Sequence, residues 1–128
     1  MRKLMFLLVL VLVSGCSPRV TTETAGISVQ PDQPVVYPVA RVFKYRGSLQ
    51  CSGGGIAPEV MQKELVGAGI TVGAFSCGHD GLLRAAVCES SDGKINIFHV
   101  PAGKVDEART LGFADLASLP SAAVTACP

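Results

Sequence analysis

Seven side chains in this sequence have the chemistry to bind a metal or exchange electrons: Cys16, Cys51, Cys77, Cys88, Cys127, His79 and His99. The densest group is Cys77-Gly78-His79-Asp80 with Cys88 further along. Thiolate and imidazole are the ligands that zinc and copper take. No C-x-x-C is present, and the C-x-H-x8-C spacing of Cys77, His79 and Cys88 matches no common zinc pattern. His79-Asp80-Gly81 is also good turn chemistry. His99 stands two and four residues after Ile97 and Ile95, which places it on their face of a strand as a hydrogen-bonded structural histidine. No cofactor is implied by these residues.

Other catalytic patterns are missing from the chain. No G-x-S-x-G precedes a helical pattern. Glu59, Glu64, Asp106 and Glu107 fall on the polar faces of helical patterns, and no two carboxylates pair as general acid and base. Ser52-Gly53-Gly54-Gly55 lies between a strand and a helix, where anion-cradling loops occur. Pro58 takes the place of the third glycine of a dinucleotide fingerprint, and no Gly-Lys-Ser/Thr follows, so the run reads as a turn. Arg41, Lys44, Tyr45 and Arg46 form the only basic cluster and read as solvated positions of a strand edge. The expectation is a protein that is not an enzyme.

The chain has 128 residues, 48% of them hydrophobic, and a formal net charge of +1. That size holds one small domain, and the near-neutral balance argues against a nucleic-acid partner. The mean hydropathy of +0.42 is lopsided. Residues 4–13 are an unbroken apolar run behind Arg2 and Lys3, with Ser14 and Gly15 after it. This is the layout of a signal peptide, and it is too short for the roughly 20 residues of a membrane-spanning helix. Val13-Ser14-Gly15-Cys16 resembles the lipobox of bacterial lipoproteins. The resemblance implies cleavage before Cys16, a diacylglycerol thioether on its sulfur and an acylated, palmitate-type N-terminus. Ser17, rather than an aspartate, then points to the outer membrane, with the domain facing the periplasm.

Residues 16–38 carry Thr21, Thr22 and Thr24 with Pro18, Pro31, Pro34 and Pro38. Proline removes donors and restricts its preceding neighbour, so this segment reads as a tether with a reach of about 25 Å. Residues 39–128 form the domain. The expected elements are a strand over 39–51, a helix over 58–68 and a β-like run over 70–77. A hairpin of 84–89 with 94–100 follows, turned by Ser90-Ser91-Asp92-Gly93, then a helix over 102–111 and a short apolar segment over 113–119. Pro58 and Pro101 each stand eleven residues before a glycine, Gly69 and Gly112, and each glycine precedes a large apolar residue, Ile70 or Phe113. Two such units predict an α+β fold: a small split βαβ, ferredoxin-like domain with a mostly antiparallel sheet and two helices. Three strands between the helices are one more than the simplest version needs.

With Cys16 lipidated, Cys51, Cys77, Cys88 and Cys127 make two disulfides, as suits a small exported domain. Of the three possible pairings, Cys77–Cys88 with Cys51–Cys127 is the one expected. The function expected is a non-catalytic binding or accessory module for an envelope protein or polymer. The alternative is a periplasmic metal- or thiol-handling protein that uses Cys77, His79 and Cys88.

Overall fold

The computed structural model describes residues 37–128. The signal peptide, Cys16 and the tether up to residue 36 lie outside the described residues. Strand β1 is Val39–Tyr45, helix α1 Pro58–Gly67, β2 Phe75–His79, β3 Lys94–Pro101, α2 Val105–Thr110, β4 Ala114–Asp115 and β5 Ala123–Thr125. Short 3-10 turns at Ala102–Lys104 and Leu116–Ser118 lead into α2 and out of β4. The sheet runs in the order β4-β1-β3-β2-β5 with every pair antiparallel. The first four strands and two helices form the split βαβ arrangement, and β5 adds one strand beside β2.

Strand β3 is the centre of the packing. Ile95, Asn96, Ile97, Phe98 and Val100 are all buried, so this strand has no solvent face. On one side the helices supply Met61, Leu65 and Ala108, which pack with Val42, Ile70, Phe98, Val100 and Phe113. On the other side Phe43, Ile95 and Ile97 are covered by Leu116, with Leu119 and Ala122 against them. The C-terminal segment therefore replaces a second helical layer.

Both helices stop by the same device. Ala68 and Leu111 are their C-caps, and Gly69 and Gly112 follow at φ of 80° and 85°. Gly69 N–H donates to Val66 O at 2.9 Å and Ile70 N–H to Leu65 O at 3.0 Å; Gly112 N–H donates to Arg109 O at 3.0 Å and Phe113 N–H to Ala108 O at 3.1 Å. These are two Schellman motifs, each seating the apolar residue after its glycine in the core. The repeated spacing in the sequence is thus a repeated helix stop.

Four expectations are corrected. Two strands, not three, lie between the helices, because residues 84–89 form no strand. The partner of β3 in the hairpin is β2, with His79 opposite Lys94, and residues 80–93 are a long connection. The first strand ends at Tyr45 rather than Cys51, since Gly47 (φ 72°) turns the chain. The disulfides join Cys51 to Cys88 and Cys77 to Cys127. Cys77 and Cys88 cannot pair across neighbouring strands when Cys88 is not on a strand.

The helix stops give a paired test. A Cβ at Gly69 would meet no atom within 4 Å, so the cost of Gly69→Ala is that of the left-handed backbone alone. Gly69→Ala is expected to destabilise the chain by about 1 kcal/mol in urea denaturation. Gly67→Ala, inside α1 with equal room and no positive φ, is expected to stabilise by up to about 1 kcal/mol.

Candidate functional site

Because β1 ends at Tyr45, β2 ends at His79 and β3 begins at Lys94, residues 46–57 and 80–93 leave the sheet at the same end. The two connections are stitched to each other. Gln50 N–H donates to Ser90 O at 2.8 Å, Glu89 N–H to Gln50 O at 3.1 Å and Asp92 N–H to Ser48 O at 3.2 Å. The Cys51–Cys88 disulfide closes the same junction, with its Cα atoms 5.2 Å apart. Gln50 reaches further with its side chain, donating from Nε2 to Ala85 O at 3.1 Å and accepting at Oε1 from Val87 N–H at 3.2 Å. Cys51 and Glu89, on either side of the junction, both hold positive φ, 69° and 66°. Each such non-glycine residue costs of order 1 kcal/mol and persists only where surrounding structure fixes it.

Asp80 anchors the other end of the second connection. Its residue is 1% exposed, and a buried carboxylate is tolerated only with full partnering. Both oxygens are held: Arg84 Nη1 donates to Oδ1 at 2.6 Å and Arg84 Nη2 to Oδ2 at 2.5 Å. Leu82 N–H adds a bond at 3.1 Å, and the Tyr45 hydroxyl donates to Oδ2 at 3.1 Å. The guanidinium fork, chiefly, holds the carboxyl down at about 2, against the opposing effect of burial. The Tyr45 phenol is pushed up, by burial first and then by Asp80. Asp80 also accepts at its backbone oxygen from Ser121 Oγ at 2.6 Å, which ties the C-terminal segment to the same point.

Between these anchors, residues 81–89 are all exposed, and residues 81–87 belong to no helix or strand. Leu82, Leu83 and Val87 stand in solvent, Leu83 completely. Of the two charges in this stretch, Arg84 is neutralised by Asp80, and Glu89, at the far end, accepts from the Ser52 hydroxyl. Among the described residues, the backbone groups of Leu83, Arg84 and Ala86 have no protein hydrogen-bond partner. The result is an exposed apolar ridge, with no uncompensated charge between Leu82 and Val87, fixed at both ends.

The predicted site residues fall elsewhere or change character. Cys77 and Cys88 lie in different disulfides, so the set Cys77, His79 and Cys88 presents no thiolate. Among the described residues, no group of three or more His, Cys, Asp or Glu is placed to hold a metal ion. His79 is exposed at the end of β2, while His99 lines a separate shallow concavity with Tyr37 and Thr71. The basic cluster is divided: Lys44 pairs with Glu64 at 2.7 Å over the Phe113 ring, and Tyr45 turns to Asp80. Asp106 and Glu107 pair with Arg109 and Lys104 on the surface of α2. The Gly53–Gly55 run makes a turn bridged to Leu49, and α1 begins at Pro58 with no side-chain cap. Sequence reasoning missed the Asp80–Arg84–Tyr45 cluster. Its one signal was the four-residue spacing of Asp80 and Arg84 beside a run of apolar residues with no alternation.

Comparison with protein-family models, with curated proteins and with solved structures gives no match for this chain.

The ion pair gives a pH test with a definite sign. Asp80 has a folded-state value near 2, below its ordinary 3.8, so its contribution to stability is complete above about pH 4 and disappears as pH falls toward 2. Arg84→Met leaves the carboxylate buried without its main partner and is expected to lower the urea midpoint clearly at pH 7. Burial then raises Asp80, so the deficit of the variant shrinks as pH falls from 7 to 4. Asp80→Asn is expected to cost less at pH 7 and to lack that recovery. Urea midpoints measured across this range check both.

Proposed function

We propose that this chain is a lipoprotein of the bacterial cell envelope whose domain is a non-catalytic binding module, docking through the ridge of residues 81–89 into a concave, apolar cleft on a partner protein. The ridge is the observation that carries the reading. Contiguous exposed apolar surface marks interaction sites, and a segment held at both ends loses little conformational freedom on binding. The anchor is read from residues 1–16: a basic start, an apolar run and the lipobox-like Val13-Ser14-Gly15-Cys16. Several buried acyl chains hold a small domain on a bilayer essentially permanently. Ser17 favours the outer membrane and a domain facing the periplasm, and the two disulfides are compatible with an oxidising compartment.

A protein cleft is favoured over the bilayer itself as the ridge's counterpart. Leu83, Arg84 and Ala86 carry free backbone donors and acceptors, and hydrocarbon charges several kcal/mol for each unsatisfied group. A cleft with its own backbone edge satisfies them, as in strand addition by an extended peptide. A glycan polymer offers little for three aliphatic side chains. Metal or thiol chemistry through Cys77, His79 and Cys88 would first require reduction of both disulfides.

The test places a photo-crosslinking residue at position 83, and separately at Asp106 on the surface of α2, in the full chain produced in a Gram-negative host. A discrete protein adduct is expected from position 83 and none from 106. Leu83→Asp, which costs within about 0.5 kcal/mol of stability at so exposed a site, is expected to abolish binding of the captured partner. Cys16→Ser is expected to abolish fatty-acid labelling. Adducts with lipid, or equal capture from position 106, would contradict the docking reading; a labelled Cys16→Ser variant would contradict the anchor.

A further inference from the structure

A second site lies beside the ridge and is independent of it. Arg46, Lys94 and His79 stand in a row across three adjacent strands. Arg46 N–H donates to Lys94 O at 3.0 Å, continuing the β1–β3 ladder, and His79 is the register partner of Lys94 on the other side. Neighbouring strands are about 4.8 Å apart, so the outer two side chains start within roughly 10 Å of each other. All three line one concavity of about 520 Å³, together with Asp92, the Cys77–Gly78 backbone and the Thr125, Ala126 and Pro128 wall. That volume lies in the usual range of small-molecule sites.

Like charges placed opposite one another in a sheet are destabilising, so each needs an anion. Lys94 has one, since its ammonium lies 3.2 Å from Asp92 Oδ2. Asp92 Oδ1 accepts from the Ser48 hydroxyl and Lys94 N–H, while Oδ2, apart from this ion-pair contact, is buried with no hydrogen bond. Arg46 has none. Its Nε is buried without an acceptor, and among the described residues its guanidinium makes no hydrogen bond or ion pair. Buried polar atoms are nearly always satisfied, so an orphaned one on a residue that lines a cavity marks a missing partner.

We propose that this concavity binds a small organic carboxylate, with Arg46 as its anchor. The guanidinium edge is a planar two-pronged donor that matches the two oxygens of a carboxylate. Asp92 pairs with Lys94, which leaves Arg46 as the lining guanidinium with no paired anion among the described residues. The walls at Cys77, Gly78 and Ala126 are apolar and receive the body of the acid. A free aliphatic acid and the C-terminus of a peptide share this chemistry.

The experiment is a titration of the 15N-labelled full chain, held in neutral detergent, with butyrate, N-acetylalanine, butyramide and inorganic phosphate. Butyrate or N-acetylalanine is expected to give saturable shifts at Arg46, His79, Lys94 and Thr125. Tighter binding of N-acetylalanine assigns the site to a peptide terminus, and tighter binding of butyrate to a simple acid. Arg46→Gln is expected to weaken binding at least about tenfold, and Arg46→Lys, which keeps the charge and loses the fork, about fivefold or more. The backbone bonds of Arg46 to Lys94 and Ile56 do not depend on its side chain, and amide dispersion verifies that both variants fold. Equal binding of butyramide, stronger binding of phosphate, unchanged affinity in Arg46→Gln, or no saturable shift at these four residues overturns the proposal.

Discussion

The buried carboxylate of Asp80 is the point on which the arrangement of the two long connections depends. It receives Tyr45 from β1, Arg84 and Leu82 from the long connection, and through its backbone meets Gly93 and the Ser121 side chain. One residue thus joins the first strand, the ridge, the start of β3 and the C-terminal cover. Its charge does a second task. By neutralising Arg84 it leaves residues 82–87 without a net charge, so the only strongly polar side chain between Leu82 and Val87 turns inward.

A domain of this size has a thin core, and cross-links carry a large share of its stability. The two disulfides span 37 and 50 residues, and in the chain-entropy account loops of that length are each worth about 4 kcal/mol. Their placement divides the labour. Cys77–Cys127 holds the C-terminal segment on β2, where that segment seals the face of the sheet that has no helices. Cys51–Cys88 fixes the two connections that build the candidate site. The positive φ angles at Cys51 and Glu89 show that this junction is held against the backbone's own preference by the disulfide and the cross-connection hydrogen bonds.

Much of the fold was legible because its signals are local. Pro58, the Met61 and Leu65 spacing, and the glycines at 69 and 112 mark both helices and their stops within a few residues of chain. Asp92-Gly93 marks the entry to β3 equally well. What local signals lack is the identity of a partner. The run Arg84–Glu89 carries as many apolar residues as a strand, while the true strand Phe75–His79 contains Gly78 and looks weaker. Only β3, buried on both faces, decides between them, because Phe75 packs against Phe98 there. The cysteine pairing fails for the same reason: once Cys88 leaves the sheet, its nearest cysteine is the one on the opposing connection. Arg46 was grouped with a surface cluster, and only the register across three strands places it in a concavity with His79 and Lys94.

Docking through a preformed surface requires a ridge that is exposed and rigid together, a combination that exposure alone does not produce. Backbone 15N relaxation of residues 82–87 in the folded chain measures this directly. Order parameters near 0.85, equal to those of β3, are the result the account predicts, falling below about 0.6 when the Cys51–Cys88 disulfide is removed by paired serine substitution. Values below about 0.6 in the intact chain would contradict it, since a floppy loop presents no preformed binding surface.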